Sequence, residues 1–348
     1  MGKLGKWTVR FAVFSALVFV FSWAFLQVGP TAPAFSADKL VLKCAGQNPV
    51  EHQGTKAIEK IAEEIKKRTN GRIEIKTFPA SQLGDYTLVY EEMMKGTIEM
   101  SLGAPPSQYD NRLQLSVTPF LVSDWKQCKT EYSPGGWVFN KMKEFNEKQG
   151  VVLLGMNMAG FGGIGSTKAI NDVLSPTIKK NVLMRVAPLE ITKIMMQGMN
   201  YSTVSVPWAD LYTALQTGVA DAWVGGNPTY SYMMFKDVLK FYYQLNLYME
   251  CESYMVSKKV WDKLSAEDKK IFSEVIGKVA ADSFAIGQAE DKHYMDLMRK
   301  DKWHVEEYTA KQLEPIRQHF IDNVWVKMEK TLTPALVKEM REHFGKKN

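Results

Sequence analysis

An arginine inside an apolar run is costly unless it reaches water or holds an anion. Arg185 is such a residue, set in the run VLMRV (182–186). Its planar guanidinium offers donors in the fork geometry that a carboxylate accepts. The pattern alone leaves an edge arginine snorkelling to water and a buried cation paired with an anion on equal terms. Trp208, Trp223 and Asn227 follow within the next 42 positions. The tryptophans are either core aromatics beside a sheet or the apolar wall of a pocket. Trp223 is read as a ligand contact and Trp208 as core or rim. Asn227 precedes Pro228, so it is either a ligand-binding amide or a turn residue. Catalysis finds little support: His52, His293, His304, His319 and His343 are scattered, and neither G-x-S-x-G nor H-E-x-x-H occurs. The glycine run AGFGGIGST (159–167) lacks the Lys-Ser/Thr ending of a phosphate loop, and no G-x-G-x-x-G opens a helix. It reads as a crossover where backbone approaches backbone or ligand. No local cluster of ligating residues argues for a metal, and no cofactor is expected.

The elements that must position these residues run from Asn181 to Tyr230. VLMRV is a short strand, Pro188 stands at a helix start, Gly198 is a stop, and TVSVP (203–207) is a second strand. WADLYTALQTG (208–218) is a helix with Leu211, Ala214 and Leu215 at helical spacing and Gly218 as C-cap, followed by a third strand, ADAWV. Ligands of open α/β sheets sit beyond the carboxyl ends of strands, so Arg185, Trp208 and the residues after Asp221 are expected to converge on one crevice.

Arg185-Val186-Ala187-Pro188 and the stretch Trp208 to Asp221 resemble the substrate-binding subunit of tripartite ATP-independent periplasmic (TRAP) transporters, the DctP family. Phe78-Pro79-Ala80 with Gln82-Leu83-Gly84, and Pro119-Phe120-Leu121 with Asp124, are similar to further motifs of that family. The resemblance implies an α/β, two-lobe fold of the periplasmic-binding-protein type (type II-like), with a long helix bracing both lobes. It implies that Arg185 forks onto a substrate carboxylate. In dicarboxylate- and sialate-type members a ligand-binding asparagine lies four residues after the aspartate matching Asp221. Here that residue is Gly225, and Asn227 is the sixth. Either the loop is longer, or Trp223 and the Gly225-Gly226 backbone take over. Gln82 and Tyr86, at a turn and the start of a first-lobe helix, either face the cleft from the other side or form an ordinary cap. Some members carry a second arginine where this chain has GFGGIGSTKAI, with Lys168 as its only cation. That favours a ligand with one carboxylate and a more apolar body. The implied function is capture of a carboxylate-containing organic acid and its delivery to a TRAP-type membrane permease, without enzymatic turnover, by a periplasmic monomer. An extracytoplasmic ligand sensor, or a secreted hydrolase, is the alternative.

The remaining chain fits that setting. Lys3, Lys6 and Arg10 precede the apolar run FAVFSALVFVFSWAFL (11–26) and small-residue sites near Ala34 and Ala37, the layout of a secretory signal peptide over 1–37. A retained membrane anchor is the competing reading. Beyond it 41 basic residues stand against 38 acidic, a net charge of +3, interleaved as on solvated helix faces. Nothing in that distribution suggests nucleic acid. Cys44, Cys128 and Cys251 allow at most one internal disulfide, and buried small hydrophobes are the preferred reading. KLVLKCA (39–45), RIEIKTF (72–78), VVLLGM (151–156), FYYQLNLYM (241–249) and CESYMVSK (251–258) read as strands. Ser265 caps a helical pattern over roughly 265–300 that would measure about 50 Å. The expected organisation is lobe I over 38–162, lobe II over 163–250, a return to lobe I with the bracing helix over 251–290, and the C-terminal part of lobe II over 291–348.

Overall fold

The computed structural model describes residues 39–345; the expected signal peptide lies outside them. Eleven strands are found there. They are β1 (Leu40–Gly46), β2 (Ile73–Phe78), β3 (Met100–Gly103), β4 (Val151–Phe161), β5 (Gly163–Ser166), β6 (Leu183–Val186), β7 (Ser202–Ser205), β8 (Ala222–Gly226), β9 (Phe241–Gln244), β10 (Met249–Ser257) and β11 (His304–Glu307). They form two sheets, ordered β2-β1-β3-β10-β4 and β11-β9-β5-β8-β6-β7. This is the two-lobe α/β architecture expected.

The local reasons are those legible in the residues. Helix Gln53–Arg68 buries Ile58, Ile61 and Ile65 on one stripe and stops where Asn70 and Gly71 take φ of 51° and 78°. Helix Tyr86–Lys95 starts at Asp85, whose carboxylate accepts from the backbone of Thr87 and Leu88. Helix Ala266–Lys300 starts at Ser265, whose hydroxyl accepts from the Asp268 N–H at 3.1 Å. Its first half packs Ile271, Phe272 and Ile276 with Leu42, Ile58 and Ile61 of the first sheet's core. Its last turns place Met295 and Met298 in another core, with Leu211, Trp223 and Tyr242. At 35 residues, roughly 52 Å, one helix therefore serves both sheets.

Two segments carry the chain between the sheets. Gly162 separates β4 from β5, and residues 245–248 separate β9 from β10. They are tied where they meet: the Gly162 N–H donates to the Tyr248 carbonyl at 2.8 Å, and the Leu247 N–H to the Gly162 carbonyl at 2.9 Å. A Cβ on Gly162 would lie 2.9 Å from the Tyr248 ring, so only glycine fits this approach. The expected strand over 241–249 ends at Gln244 instead. Asn246 takes φ of 49° as the chain leaves one sheet for the other, which ladder geometry cannot accommodate.

After β11, helices Ala310–His319 and Pro334–Phe344 are joined by tighter and wider turns over 320–332. The Trp325 indole N–H donates to the Pro119 carbonyl at 2.9 Å, Lys141 pairs with Glu339, and His343 stacks on Trp137. The C-terminal stretch thus also packs on residues 119–141, which lead into β4. Cys44, Cys128 and Cys251 are all buried free thiols.

Candidate functional site

Arg185 lies on β6 between β7 and β8, level with Val204 on one side and Trp223 on the other. It is 2% exposed. Its Nε donates to the Val206 carbonyl at 2.9 Å, and no acidic residue among the described ones pairs with it. Burial pushes its pKa down to about 10, with Tyr248 and Tyr86 close enough to be felt. The guanidinium is still charged at neutral pH, and the ionisable groups whose charge it feels are Tyr248 and Tyr86 rather than a carboxylate. That is the state a buried ion pair is left in when one partner is missing.

The other expected site residues divide into those gathered here and those engaged elsewhere. Trp223 is 1% exposed, with its ring 4.9 Å from that of Phe235. A Cβ on Gly225, which has φ of 133°, would lie 3.5 Å from Arg185 Nη1 and 3.6 Å from the Trp223 ring. Indole and guanidinium thus share one small space. Trp208 is 43% exposed, with its ring 6.0 Å from that of Trp223 and 6.0 Å from that of Tyr230, and forms the rim of this aromatic group. Tyr86 is half-buried at the start of its helix, near enough to feel the charge of Arg185. Gln82 is exposed in the preceding turn. Asn227 is fully buried: its carbonyl oxygen caps helix Pro228–Phe235 by accepting from the Tyr230 N–H at 3.0 Å, and its amide donates to the Ala159 carbonyl. Both ends of that side chain are used within the protein. Lys168 pairs with Asp221 at 3.0 Å, and Asp221 also accepts from the Leu183 N–H, which fixes the start of β6.

Sequence reasoning missed Tyr230, Tyr248, Glu250 and Glu252. Tyr248 is 3% exposed and stands at the crossing of the two connecting segments, within electrostatic reach of both Arg185 and Glu250. Glu252 accepts from the Asn48 amide at 2.7 Å and the Asn157 amide at 3.2 Å, while the Tyr230 hydroxyl donates to the Asn48 carbonyl oxygen at 2.6 Å. Tyr230 also stacks on His52, with ring centres 5.0 Å apart. Burial pushes Glu250 up to about 8, helped by the charge of Glu252, and pushes Glu252 up to about 7. The signal was available: two glutamates interrupt an otherwise apolar LYMECESYMV, as Arg185 interrupts VLMRV.

This arrangement holds a fixed cation beside aromatic walls. The hydroxyls of Tyr86, Tyr230 and Tyr248 are all pushed above their ordinary value, mainly by burial. Among the described residues no group of three or more His, Cys, Asp or Glu could hold a metal ion.

Comparison with known proteins agrees with the fold. The chain is 21% identical over 333 residues to the sialic acid-binding periplasmic protein SiaP of Vibrio cholerae, covering 91% of this chain and 92% of that one. A TRAP periplasmic solute binding protein from Desulfovibrio salexigens, solved with bound orotic acid, superposes with a TM-score of 0.77 at 22% identity, covering 88% of this chain and 99% of the other. One from Haemophilus influenzae with bound L-gulonate gives 0.72 at 24% identity, covering 88% and 100%. The model of the bacterial extracellular solute-binding proteins, family 7, matches residues 45–331, and the chain belongs to that family.

Proposed function

We propose that this protein captures an organic acid in the crevice between its two sheets and hands it to a TRAP-type membrane permease. The observation that carries the reading is Arg185, a buried guanidinium without an anionic partner among the described residues, at the carboxyl end of a parallel strand. A ligand carboxylate would accept from its free terminal nitrogens. Tyr86, Tyr248, Trp223 and Trp208 would enclose the rest of the molecule, and Gln82 would reach it only at the rim. Asn227 would act through the Ala159 carbonyl, holding the connecting strand rather than the ligand. The relatives solved with orotic acid and L-gulonate support a carboxylate as the recognised group. The raised tyrosines favour binding over the turnover that a hydrolase would need.

The working form is a periplasmic monomer, exported by a cleaved signal over residues 1–37. Its lobes are 38–162 and 163–250, with 251–290 returning to the first and 291–348 assigned to the second. Those lobes close over the ligand about the Gly162 and Tyr248 crossing. Thermal melts with a panel of organic acids, each beside its neutral amide, test the carboxylate. At 100 times its Kd an acid should add about 2.7 kcal/mol of stability, and its amide far less. Equal stabilisation by acid and amide would refute the reading. Small-angle scattering with a stabilising acid should show a smaller radius of gyration than without it.

A further inference from the structure

Helix Pro228–Phe235 belongs to the second sheet by its apolar packing, yet it is fastened to the first sheet by a polar group. Phe235 lies in the core with Leu211, Trp223 and Tyr242, and Tyr230 packs against that core. The Tyr230 hydroxyl nevertheless donates at 2.6 Å to the side-chain oxygen of Asn48, two residues beyond the end of β1. Its ring stacks on His52, the N-cap of helix Gln53–Arg68, with ring centres 5.0 Å apart. Asn48 is buried and extends the network: its amide donates to Glu252 on β10, Glu252 also accepts from Asn157 on β4, and Asn157 accepts from the Tyr254 hydroxyl. Asn48, Glu252, Asn157 and Tyr254 all stand on the first-sheet side, so Tyr230 brings a donor from the second lobe to a network that otherwise lies within the first. The same tyrosine ring meets Trp208 in a T-shaped contact at 6.0 Å, and Trp208 forms the rim of the crevice.

We propose that Tyr230 is a positioning residue: its hydroxyl bolts the helix against which the crevice rim leans to the first sheet, and so holds the two lobes in the arrangement that receives the ligand. This rests on the reading of the crevice as the ligand site. Parting the lobes exchanges the bond for water on both groups. Deleting the hydroxyl while the lobes stay together leaves the Asn48 oxygen buried without that donor, which is the costlier state. The hydroxyl therefore weighs on the equilibrium between joined and parted lobes more than on folding as a whole. An acid that binds the joined form alone sees its affinity reduced by the fraction of molecules in that form, so the bolt also sets how tightly the crevice holds its ligand.

Spin labels read the arrangement without any ligand. The native cysteines are buried, so labels can be carried by Leu88→Cys and Gln216→Cys, exposed positions on helices Tyr86–Lys95 and Leu211–Thr217, one in each lobe. Pulsed dipolar distances in the ligand-free protein should include a population at the separation seen in this structure. Tyr230→Phe keeps the ring on His52 and Trp208 and removes only the hydroxyl. It should lower the ratio of that population to longer separations about fivefold or more. Adding Tyr230→Phe to Asn48→Ala should change the ratio no further, because the acceptor is already gone. Whichever of orotic acid and L-gulonate stabilises wild type should bind Tyr230→Phe more weakly. An unchanged ratio in Tyr230→Phe, additive effects of the two substitutions, or a lower melting temperature with ratio and affinity intact, as a merely structural bond would give, would overturn the proposal. Failure of the carboxylate reading looks different: acids and amides would stabilise equally while the distances still shifted.

Discussion

Replacing Arg185 by alanine should cost binding and spare folding, and the structure sets the sizes. The side chain is 2% exposed, so a carboxylate docked on it is removed from bulk water along with it. Truncation leaves that anion buried without a partner, a loss of about 2–5 kcal/mol, or roughly 30-fold to several thousand-fold in Kd. In the ligand-free protein the terms oppose each other. Removing the arginine relieves the desolvation that pushes its pKa down to about 10. It also leaves the Val206 carbonyl without its donor, at about 1–3 kcal/mol, and loses the packing of the side chain. The melting temperature should therefore move little. Arg185→Lys keeps the charge but not the parallel pair of hydrogen bonds, and should fall between wild type and alanine. Calorimetric titration of the three proteins with a stabilising acid, beside ligand-free melts, measures both quantities. Wild-type affinity in Arg185→Ala, or a variant that fails to fold, would refute the reasoning.

Stability of the ligand-free protein should fall as pH rises from 6.5 to 8. Glu250 and Glu252, pushed up to about 8 and about 7, bind protons in the folded state that the unfolded chain has already lost above its carboxyl pKa near ~4.3, and burial shifts Asp291 in the same direction. Their contribution is full below that value and is lost as pH passes the folded ones, at a slope on the order of 1 kcal/mol per pH unit for each. His52, pushed down to about 4 by burial and Lys56, works oppositely, but only below its unfolded value near ~6.5. A higher melting temperature at pH 8 than at 6.5 would contradict this account. Gly160→Ala should destabilise by about 2–4 kcal/mol, because its φ is 145° and the new Cβ would fall 2.1 Å from Asp291 Oδ1 and 2.9 Å from Asn227 Cβ; an unchanged melt would mean the connecting strand is not clamped there. Intact-mass analysis of periplasmic protein should show a chain starting between Phe35 and Lys39, and a full-length species would count against cleavage.

The long helix, its Ser265 cap and the two-lobe plan were legible because caps and periodic stripes act over a few residues, and Ser265 and Ile271 to Val279 carry that signal whatever surrounds them. Arg185 was legible for the opposite reason: a charge in an apolar run needs an explanation from outside the run. Tyr248 was not, since its place depends on where two connecting segments meet, a contact with Gly162 across 86 positions. Asn227 read equally as a ligand group and as a turn residue, because an amide suits both, and its cap and its bond to the Ala159 carbonyl depend on a contact across 68 positions. The break at Asn246 was hidden by a run of aromatic and apolar residues that would suit a strand anywhere.

The strand order has a consequence for how the chain must acquire its structure. β10 lies between β3 and β4, and the whole of residues 162–248, with most of the second sheet, intervenes before it is made. A chain emerging amino-terminus first cannot close its first sheet until residue 257 is out, so β3 and β4 wait with open edges for a partner that arrives late. Such non-local pairing makes folding slow, since loop-closure entropy is lost before the contacts form. If the chain is exported through a membrane as an extended polymer, in line with the proposed cleaved signal, that delay would be an advantage: the leading half would not lock into a compact body before crossing, and the fold would become available once nearly all of the chain had crossed.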